Sequence, residues 1–221
     1  VQRFHKAIKP IGEAKPEWQI ICELSQKMGY EMSYESPAEI MEEIARLTPI
    51  YGGMLYHRLD KEGLQWPCPD VNHPGTKFLH QGKFSRGKGK FFAVEYRDAA
   101  ELPDEEYPLI FTTGRVLYHF HTGTVSRKSK GLNEVYKEAL VEISPNDAEE
   151  LNIEDGEMVE VASRRGKIKA KVKITEKSDN GVVFMSFHFH EAAANLLTNA
   201  ALDPVSKIPE YKVCAVKLKK I

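Results

Sequence analysis

The most constraining feature of this sequence is the segment KIKAKVKIT at residues 167–175, where apolar side chains alternate with lysines. Successive side chains of a β-strand point to opposite faces, so the alternation predicts a strand with one buried and one solvated face. SRRG, residues 163–166, predicts a hairpin to the preceding strand. Further short strand-like segments lie at residues 91–96, 107–111, 139–143, 157–163 and 182–187. Short strands with one interposed helix predict a mainly β fold with short helices, closed as a small barrel.

Helices are predicted at three places. Residues 14–29 carry apolar side chains at helical spacing and end in glycine, which predicts an amphipathic helix. Ser36 and Glu39 predict the capping box of a second helix. Ser144 predicts the N-cap of a third, over residues 145–151.

The chain changes character near residue 90. Residues 51–89 have no hydrophobic period, which predicts either a functional loop or a strap laid across a partner domain. The acidic stretch 98–106 predicts an exposed linker into the barrel. We therefore expect a helix-and-loop domain at residues 1–89 and the barrel at residues 90–221.

Charge and cysteine usage exclude several classes of function. A formal net charge of -1 gives no overall field that would attract nucleic acid. No apolar run approaches the roughly 20 residues that cross a bilayer, so we expect a cytoplasmic protein without direct membrane insertion. Cys22, Cys68 and Cys214 are far apart, which argues against disulfides, structural zinc or an iron–sulfur cluster within these residues. Each is expected to be a small buried apolar residue.

The candidate binding segment is TTGRVLYHFHTGTVSRKS, residues 112–129. Gly114 and Gly123 allow a backbone to approach a ligand closely. The threonine hydroxyls, the backbone N–H groups and the Arg115 guanidinium suit phosphate oxygens. The alternative is a solvated polar loop, with residues 127–130 as its basic end.

Two histidine pairs leave three interpretations open. His119 and His121, like His188 and His190, are two residues apart, so on a strand both imidazoles of a pair would share one face. Four such imidazoles could bind zinc or copper. They could equally be structural histidines or hydrogen-bond a cofactor. A carboxylate that could orient an imidazole lies close in sequence only at Glu191.

The order of motifs resembles a known family. TGRVLYHFHTG resembles the signature of the molybdopterin-guanine-dinucleotide-binding domain at the C-terminus of formate dehydrogenase and nitrate reductase large subunits. Residues 184–218 resemble that domain's last motif, and residues 12–30 and 64–76 are similar to the formate dehydrogenase alpha subunit. The resemblance implies a double-psi β-barrel preceded by the tail of an α/β domain.

The resemblance also implies site residues. Phe187 matches a position that lines the approach to the metal, and no catalytic residue is expected among residues 1–221. The positions that match cofactor contacts are Thr113, Gly114, Arg115, Val116, Leu117, Tyr118, His119, Phe120, His121, Thr122, Thr124, His188, Asn195 and Lys212.

The implied function is that of part of a molybdenum or tungsten formate dehydrogenase, which binds molybdopterin guanine dinucleotide. The metal ligand, the formate-handling groups and the iron–sulfur cluster are expected in sequence N-terminal to residue 1, so this chain alone is expected to be inactive. The expected partners are that remainder and an electron-transfer iron–sulfur subunit. The alternatives are a nitrate reductase of the same family, a stand-alone nucleotide- or pterin-binding barrel and, less favoured, a metal-dependent barrel enzyme using the histidine pairs.

Overall fold

The computed structural model describes residues 1–221 and divides them into two compact units, Val1–Ala93 and Val94–Ile221, the second of which we call the barrel unit. The helices are α1 (Glu17–Lys27), α2 (Pro37–Leu47), α3 (Tyr56–Leu59), α4 (Lys130–Val135) and α5 (Pro145–Glu150). The strands are β1 (Leu109–Gly114), β2 (Leu140–Ile143), β3 (Met158–Ala162), β4 (Lys167–Ile174), β5 (Val182–Ser186) and β6 (Cys214–Lys220). None of the helices has the length and hydropathy that a membrane crossing requires.

The six strands close into a barrel in the order β1-β5-β2-β4-β3-β6. Strands β1 and β5 are parallel, as are β2 and β4, and the other neighbours are antiparallel. Closure leaves no sheet edge with unpaired backbone groups. The mainly β fold with short helices and a double-psi barrel is therefore confirmed.

The barrel core is built from alternating strand positions. In β4, Ile168, Ala170 and Val172 are buried, and the lysines between them face outward, as the alternation predicts. The outward lysines are matched by glutamates, with Lys171 Nζ 2.8 Å from a Glu138 carboxylate oxygen. The largest fully buried barrel side chains include Phe111, Val141, Ile143, Val159, Val161, Val183 and Met185.

The turn between β3 and β4 and the short helix α5 lie where the sequence predicted them. The Ser163 N–H donates to the Gly166 carbonyl at 2.9 Å, which closes the predicted hairpin between β3 and β4. The Ser144 hydroxyl caps α5 by accepting from the Asp147 N–H at 3.0 Å. The buried Asp147 carboxylate in turn accepts from the Gly181 N–H at the turn before β5.

One predicted strand is absent, and one strand of the barrel was not predicted. Residues 91–96 form no strand, and Phe91, Phe92 and Val94 are strongly exposed. The strand that completes the barrel is instead β6, which pairs with both β1 and β3. Apolar alternation alone cannot say which segment finds a pairing partner, and residues 91–96 have none whereas β6 has one on each side.

The acidic stretch before β1 is largely exposed, as expected, but it is also attached to the barrel. Glu101 is only 11% exposed at its side chain and forms ion pairs with Arg164 and Arg165 of the β3–β4 hairpin. The Asp104 carboxylate accepts from the backbone N–H groups of Glu106 and Tyr107. These contacts fix the chain as it enters β1.

In Val1–Ala93, both predicted helices are present, but their surroundings differ from the expectation. On α1, Ile21, Leu24 and Met28 are more than half exposed. At α2, the Ser36 hydroxyl makes no capping bond, so the predicted capping box is incomplete. In a capping box the Glu39 carboxylate would accept from the Ser36 N–H. Here it accepts from the Glu35 N–H instead, at 2.8 Å.

Residues 51–89 divide into a packed part and an exposed part. Met54, Leu59, Leu64 and Cys68 form a small buried cluster. The Arg58 guanidinium stabilises it by donating to backbone carbonyls of neighbouring turns, at 2.8 and 2.7 Å. Residues 77–93, by contrast, are exposed throughout. All three cysteines of the chain are buried and free, as expected from their spacing.

Candidate functional site

Three polar segments meet at one end of the barrel. Because β1 and β5 are parallel, with Gly114 opposite Ser186, the segments that follow them leave the barrel at the same edge. Strand β6 is antiparallel to β1, with Cys214 opposite Phe111, so the segment that precedes β6 arrives there as well. We call residues 115–129, 187–199 and 211–213 together the site end. The topology thus gathers segments far apart in sequence, and all the predicted site residues lie in these segments or at the adjoining end of β1.

Thr113 and Lys212 are joined at the base of the site end. Thr113 lies inside β1 and is buried, and its hydroxyl donates to the Tyr211 carbonyl at 3.3 Å. The Lys212 ammonium is hydrogen-bonded to the Thr113 carbonyl. This hydroxyl thus holds β1 against the segment before β6, and a contact of Thr113 with the cofactor stays a prediction.

The two glycines of the segment are required by protein packing. A Cβ at Gly114 would lie 2.5 Å from the Phe184 ring. Gly123 has φ +73°, and a Cβ there would lie 2.8 Å from the His188 carbonyl oxygen. Both positions thus exclude larger side chains for internal reasons. The close approach that we expected toward a ligand is instead made toward neighbouring parts of the chain.

His188 is fully buried and both of its ring nitrogens are bonded internally. Nε2 accepts from the Val116 N–H at 2.9 Å, and Nδ1 donates to the His121 carbonyl. Burial lowers the pKa of His188. Both ring nitrogens are thus bonded within the chain, and a contact of His188 with the cofactor stays a prediction.

His119 is also an internal residue. Its Nε2 lies 2.8 Å from the Tyr136 carbonyl and its Nδ1 lies 3.2 Å from the Ser126 hydroxyl. The Ser126 oxygen accepts from the Phe120 N–H at 3.0 Å, so the hydroxyl hydrogen is free to point at Nδ1. His119 therefore links the segment to α4, and its contact with the cofactor stays a prediction.

The histidine pairs do not form a metal site. They lie in irregular segments and not on strands, so His121 and His190 are exposed while their partners are buried. No group of three or more His, Cys, Asp or Glu side chains has an arrangement suited to a metal ion. Geometry therefore gives no support to the metal-dependent alternative.

The side chains that remain exposed at the site end form a distinct set. Arg115 makes no hydrogen bond or ion pair within the chain, and the hydroxyls of Thr122 and Thr124 lie 3.0 Å apart at the surface. The Asn195 side-chain amide is exposed and unbonded in a short 3₁₀ turn, whereas Phe187 packs partly against the core. The remaining predicted contacts are Val116, which is half-buried, and Leu117, Tyr118, Phe120 and His121, which are exposed.

An ion pair that the sequence did not predict stabilises the site end. Both terminal nitrogens of Arg127 donate to the Glu191 carboxylate at 2.7 Å, and the guanidinium lies 4.7 Å from the centre of the Phe189 ring. The hydrogen bonds from Arg127 lower the pKa of Glu191 to about 2. Arg127 is thus engaged and not a free phosphate donor. The only sequence signal was the single carboxylate beside the second histidine pair.

A second missed residue is Asn199. Its side-chain amide donates to the Val213 carbonyl at 2.9 Å, and its backbone N–H is 3.2 Å from the Cys214 sulfur. This residue ties the segment after β5 to the one before β6. No local motif marks it, because both partners are distant in sequence.

Residues 109–215 match the molydopterin dinucleotide binding domain. The barrel unit belongs to this family. The family resemblance predicted from the sequence is thereby confirmed. The match begins at the first residue of β1 and ends in β6, so the dinucleotide-binding domain includes every segment of the site end.

Relatives extend the match to the whole chain. The alpha subunit of an F420-dependent formate dehydrogenase from Methanocaldococcus jannaschii is 53% identical over all of this chain and 33% of its own length. The catalytic subunit of an assimilatory nitrate reductase from Bacillus subtilis is 38% identical over 94% of this chain and 31% of its own. The chain thus spans about a third of the length of the curated relatives it matches.

A solved structure shares the fold. Acetylene hydratase from Pelobacter acetylenicus superposes on 98% of this chain and 34% of its own with a TM-score of 0.67, at 17% identity. At this identity the likeness concerns the fold alone.

The exposed set fits a dinucleotide of this kind. Such a molecule presents phosphate oxygens and two ring systems with polar edges. Arg115 offers an unpaired guanidinium for phosphate, and Thr122 and Thr124 offer hydroxyl donors. The Asn195 amide can both donate to and accept from a ring edge. The donor chemistry that the domain's ligand requires is thus present at one end of the barrel.

Proposed function

We propose that this chain binds molybdopterin guanine dinucleotide as part of the catalytic subunit of a formate dehydrogenase. The observation that carries the proposal is the site end itself, where one barrel edge presents the unpaired Arg115, exposed hydroxyls and a free amide. Thr113, His119 and His188 are hydrogen-bonded within the chain, so the exposed set differs from these residues in its availability. Preorganised donors on a rigid scaffold are what a tightly held cofactor needs.

Each exposed residue has a role in this proposal. Arg115 binds a phosphate through a charge-assisted hydrogen bond, and Thr122 and Thr124 donate to the same group. Asn195 reads the edge of the guanine or pterin ring. Lys212 keeps its bond to the Thr113 carbonyl and adds a positive charge beside the dinucleotide.

Four further residues contribute apolar or aromatic surface to the proposed site. Leu117, Tyr118 and Phe120 present exposed apolar and aromatic area against which planar rings can stack. Phe187, packed on the core, lines the approach to the metal.

When bound, the cofactor supplies the two-electron oxidation of formate to carbon dioxide at molybdenum or tungsten. The residues of this chain bind and orient it and shield its dinucleotide from water. The iron–sulfur cluster and the protein ligand of the metal belong to the remainder of the catalytic subunit. An electron-transferring iron–sulfur subunit is the further partner, and a cytoplasmic location stays a prediction.

The second candidate is a nitrate reductase of the same family. It is favoured by the relative of that name, but the higher identity to the archaeal alpha subunit, 53% against 38%, favours formate. The sequence around residues 64–76 supports the same choice.

Assays of the full-length enzyme distinguish the formate dehydrogenase from the nitrate reductase. We expect purified protein to contain pterin and guanine nucleotide, to reduce an artificial dye with formate, and to show no nitrate reduction. Nitrate reduction without formate oxidation would establish the second candidate. Metal analysis of the same sample identifies molybdenum or tungsten.

A further inference from the structure

One buried imidazole joins the two ends of the segment that carries most of the exposed set. His188 accepts the Val116 N–H at Nε2 and donates to the His121 carbonyl at Nδ1. Between these two anchor points lie Leu117, Tyr118 and two further positions, and Arg115 directly precedes the first anchor. The backbone of this segment forms no strand or helix, so its course depends on such bonds.

The two bonds require one protonation state and one tautomer. A backbone N–H only donates and a carbonyl only accepts, so Nε2 must be bare and Nδ1 must carry the hydrogen. A protonated imidazole would direct an N–H at the Val116 N–H and break that bond. Neutral histidine is suited to the position because it donates at one ring nitrogen and accepts at the other.

The surroundings keep His188 neutral. The side chain is fully buried, and its ring centre lies 5.9 Å from that of His119. The titratable and charged groups that act on it are His119, His121 and Arg115, and each of them, when positively charged, opposes protonation. Burial is the larger cause of the lowered pKa.

We infer that His188 is a positioning residue of the dinucleotide site, which sets the distance between Val116 and His121 and so directs Arg115, Leu117, Tyr118 and Phe120 outward toward the ligand. This inference rests on the proposed function for the identity of the ligand. It assigns to His188 no contact with the ligand itself.

The tautomer is tested first, on the wild-type chain. Nitrogen-15 NMR of the imidazoles should show His188 at about pH 7.5 as the neutral form with hydrogen on Nδ1. His57, exposed on α3 and free of hydrogen bonds, is the internal control and provides the reference spectrum of an exposed imidazole. A His188 ring that is cationic at about pH 7.5, or carries its hydrogen on Nε2, overturns the inference.

The functional test uses the full-length enzyme and its own pterin guanine dinucleotide. His188→Ala removes both bonds, His188→Gln can restore an acceptor near Nε2, and His188→Asn can restore a donor near Nδ1. His57→Asn is the control. Dissociation of the dinucleotide is followed by the fluorescence of the released pterin, with a melting temperature for each variant.

We expect His188→Ala to accelerate release roughly ten-fold, and His188→Gln or His188→Asn to recover part of this loss, at about three-fold. The His57→Asn control should match the wild type. Equal release from the wild type and all three His188 variants overturns the positioning role. Equal acceleration in all three, scaling only with the melting temperature, also overturns it. If the wild type itself releases no pterin or guanine nucleotide, the proposed function fails instead.

Discussion

The two units of this chain differ in the kinds of side chain that they bury and expose. The barrel unit buries apolar side chains from all six strands, and at its site end it exposes a cation, hydroxyls and an amide. The unit Val1–Ala93 buries only a small cluster around Met54 and Cys68, with apolar side chains such as Leu24 and Phe91 exposed at 57% and 101%. Exposed polar groups are suited to a ligand, whereas exposed apolar groups are suited to protein contacts.

Strand β4 and helix α1 make the comparison specific. Both have a regular apolar face in the sequence, but Ile168 and Val172 are buried while Ile21 and Leu24 are more than half exposed. A hydrophobic period identifies the face that gains from burial, and the covering partner must come from elsewhere in the structure. For β4 the chain supplies that partner, and for α1 it does not.

The largest expected difference is in hydrogen exchange. Amides of β2, β4 and β5 should exchange only through global opening, which costs on the order of 5–15 kcal/mol in a folded domain, whereas residues 77–93 should exchange through openings of about 0 kcal/mol. Residues 54–68 should be intermediate because of their small buried cluster. Mass spectrometry of peptide fragments from the 221-residue chain measures all three regions at once.

Peptides from 1–50 serve as the reference for helices with exposed apolar faces. Protection of residues 77–93 equal to that of β4 would contradict the division of residues 51–93 into a packed and an exposed part.

The next largest effect concerns the barrel core. Phe111 is fully buried in β1, between β5 and β6, so Phe111→Ala should leave a cavity that destabilises the barrel unit by about 3–5 kcal/mol. Because both tryptophans, Trp18 and Trp66, lie in Val1–Ala93, tryptophan fluorescence reports that unit alone. We expect circular dichroism of the strands to show an earlier urea midpoint and the fluorescence midpoint to stay constant.

Met54→Ala is the matched control, because Met54 is fully buried in the small cluster. Met54→Ala should lower the urea midpoint measured by tryptophan fluorescence. The urea midpoint measured by circular dichroism of the strands should stay constant. A common shift of both signals in either variant would show that the two units unfold together.

How much of this fold the sequence predicts depends on how local each signal is. The hairpin at residues 163–166 and the cap at Ser144 were predicted correctly, because hydrogen bonds over three residues decide them. Strand β6 was not predicted, and residues 91–96 were predicted wrongly. Both outcomes depend on long-range pairing, which apolar alternation does not encode.

The site shows the same division. The sequence identified the segment around Arg115 and its donor chemistry, and the barrel topology explains why Asn195 and Lys212 belong with it. The sequence could not show that His188 bonds within the chain, because its partner Val116 is 72 positions away in sequence although adjacent in space. A buried histidine and a ligand-binding histidine look alike until their partners are known.

A smaller effect tests whether exposure at the site end reflects ligand binding. Arg115→Ala in the full-length enzyme should weaken dinucleotide binding by about 1.5–3 kcal/mol, roughly ten- to a hundred-fold, since a charge-assisted bond to phosphate is lost. Lys128→Ala, also exposed, should cost about 0–1 kcal/mol. Guanine dinucleotide retained per molecule after gel filtration gives the comparison, with matched melting temperatures. Equal loss in both variants, or loss only in Lys128→Ala, would place the phosphate elsewhere.

The smallest effect concerns the ion pair that braces the site end. Arg127 lowers the pKa of Glu191 to about 2, below the value of about 4.3 that glutamate has in an unfolded chain. The folded state therefore binds the proton less readily. The stabilisation is complete above about pH 4.3 and is lost as the pH falls toward about 2. Because the Glu191 side chain is 55% exposed, solvent screens the pair and the contribution is about 0–1 kcal/mol.

Urea unfolding of the barrel unit, followed by circular dichroism, measures this contribution in wild type and Glu191→Gln. The wild type should be the more stable at about pH 6, and the difference should shrink at about pH 3 as the carboxylate begins to protonate. Glu106→Gln is the control, because Glu106 is similarly exposed, at 66%, and pairs with Lys217 before the start of β1. A Glu191→Gln difference that stays constant between the two pH values would mean that the side chain braces the segment by packing. The charge of the pair would then be unimportant, and the polar character of the site end would lie in its exposed residues alone.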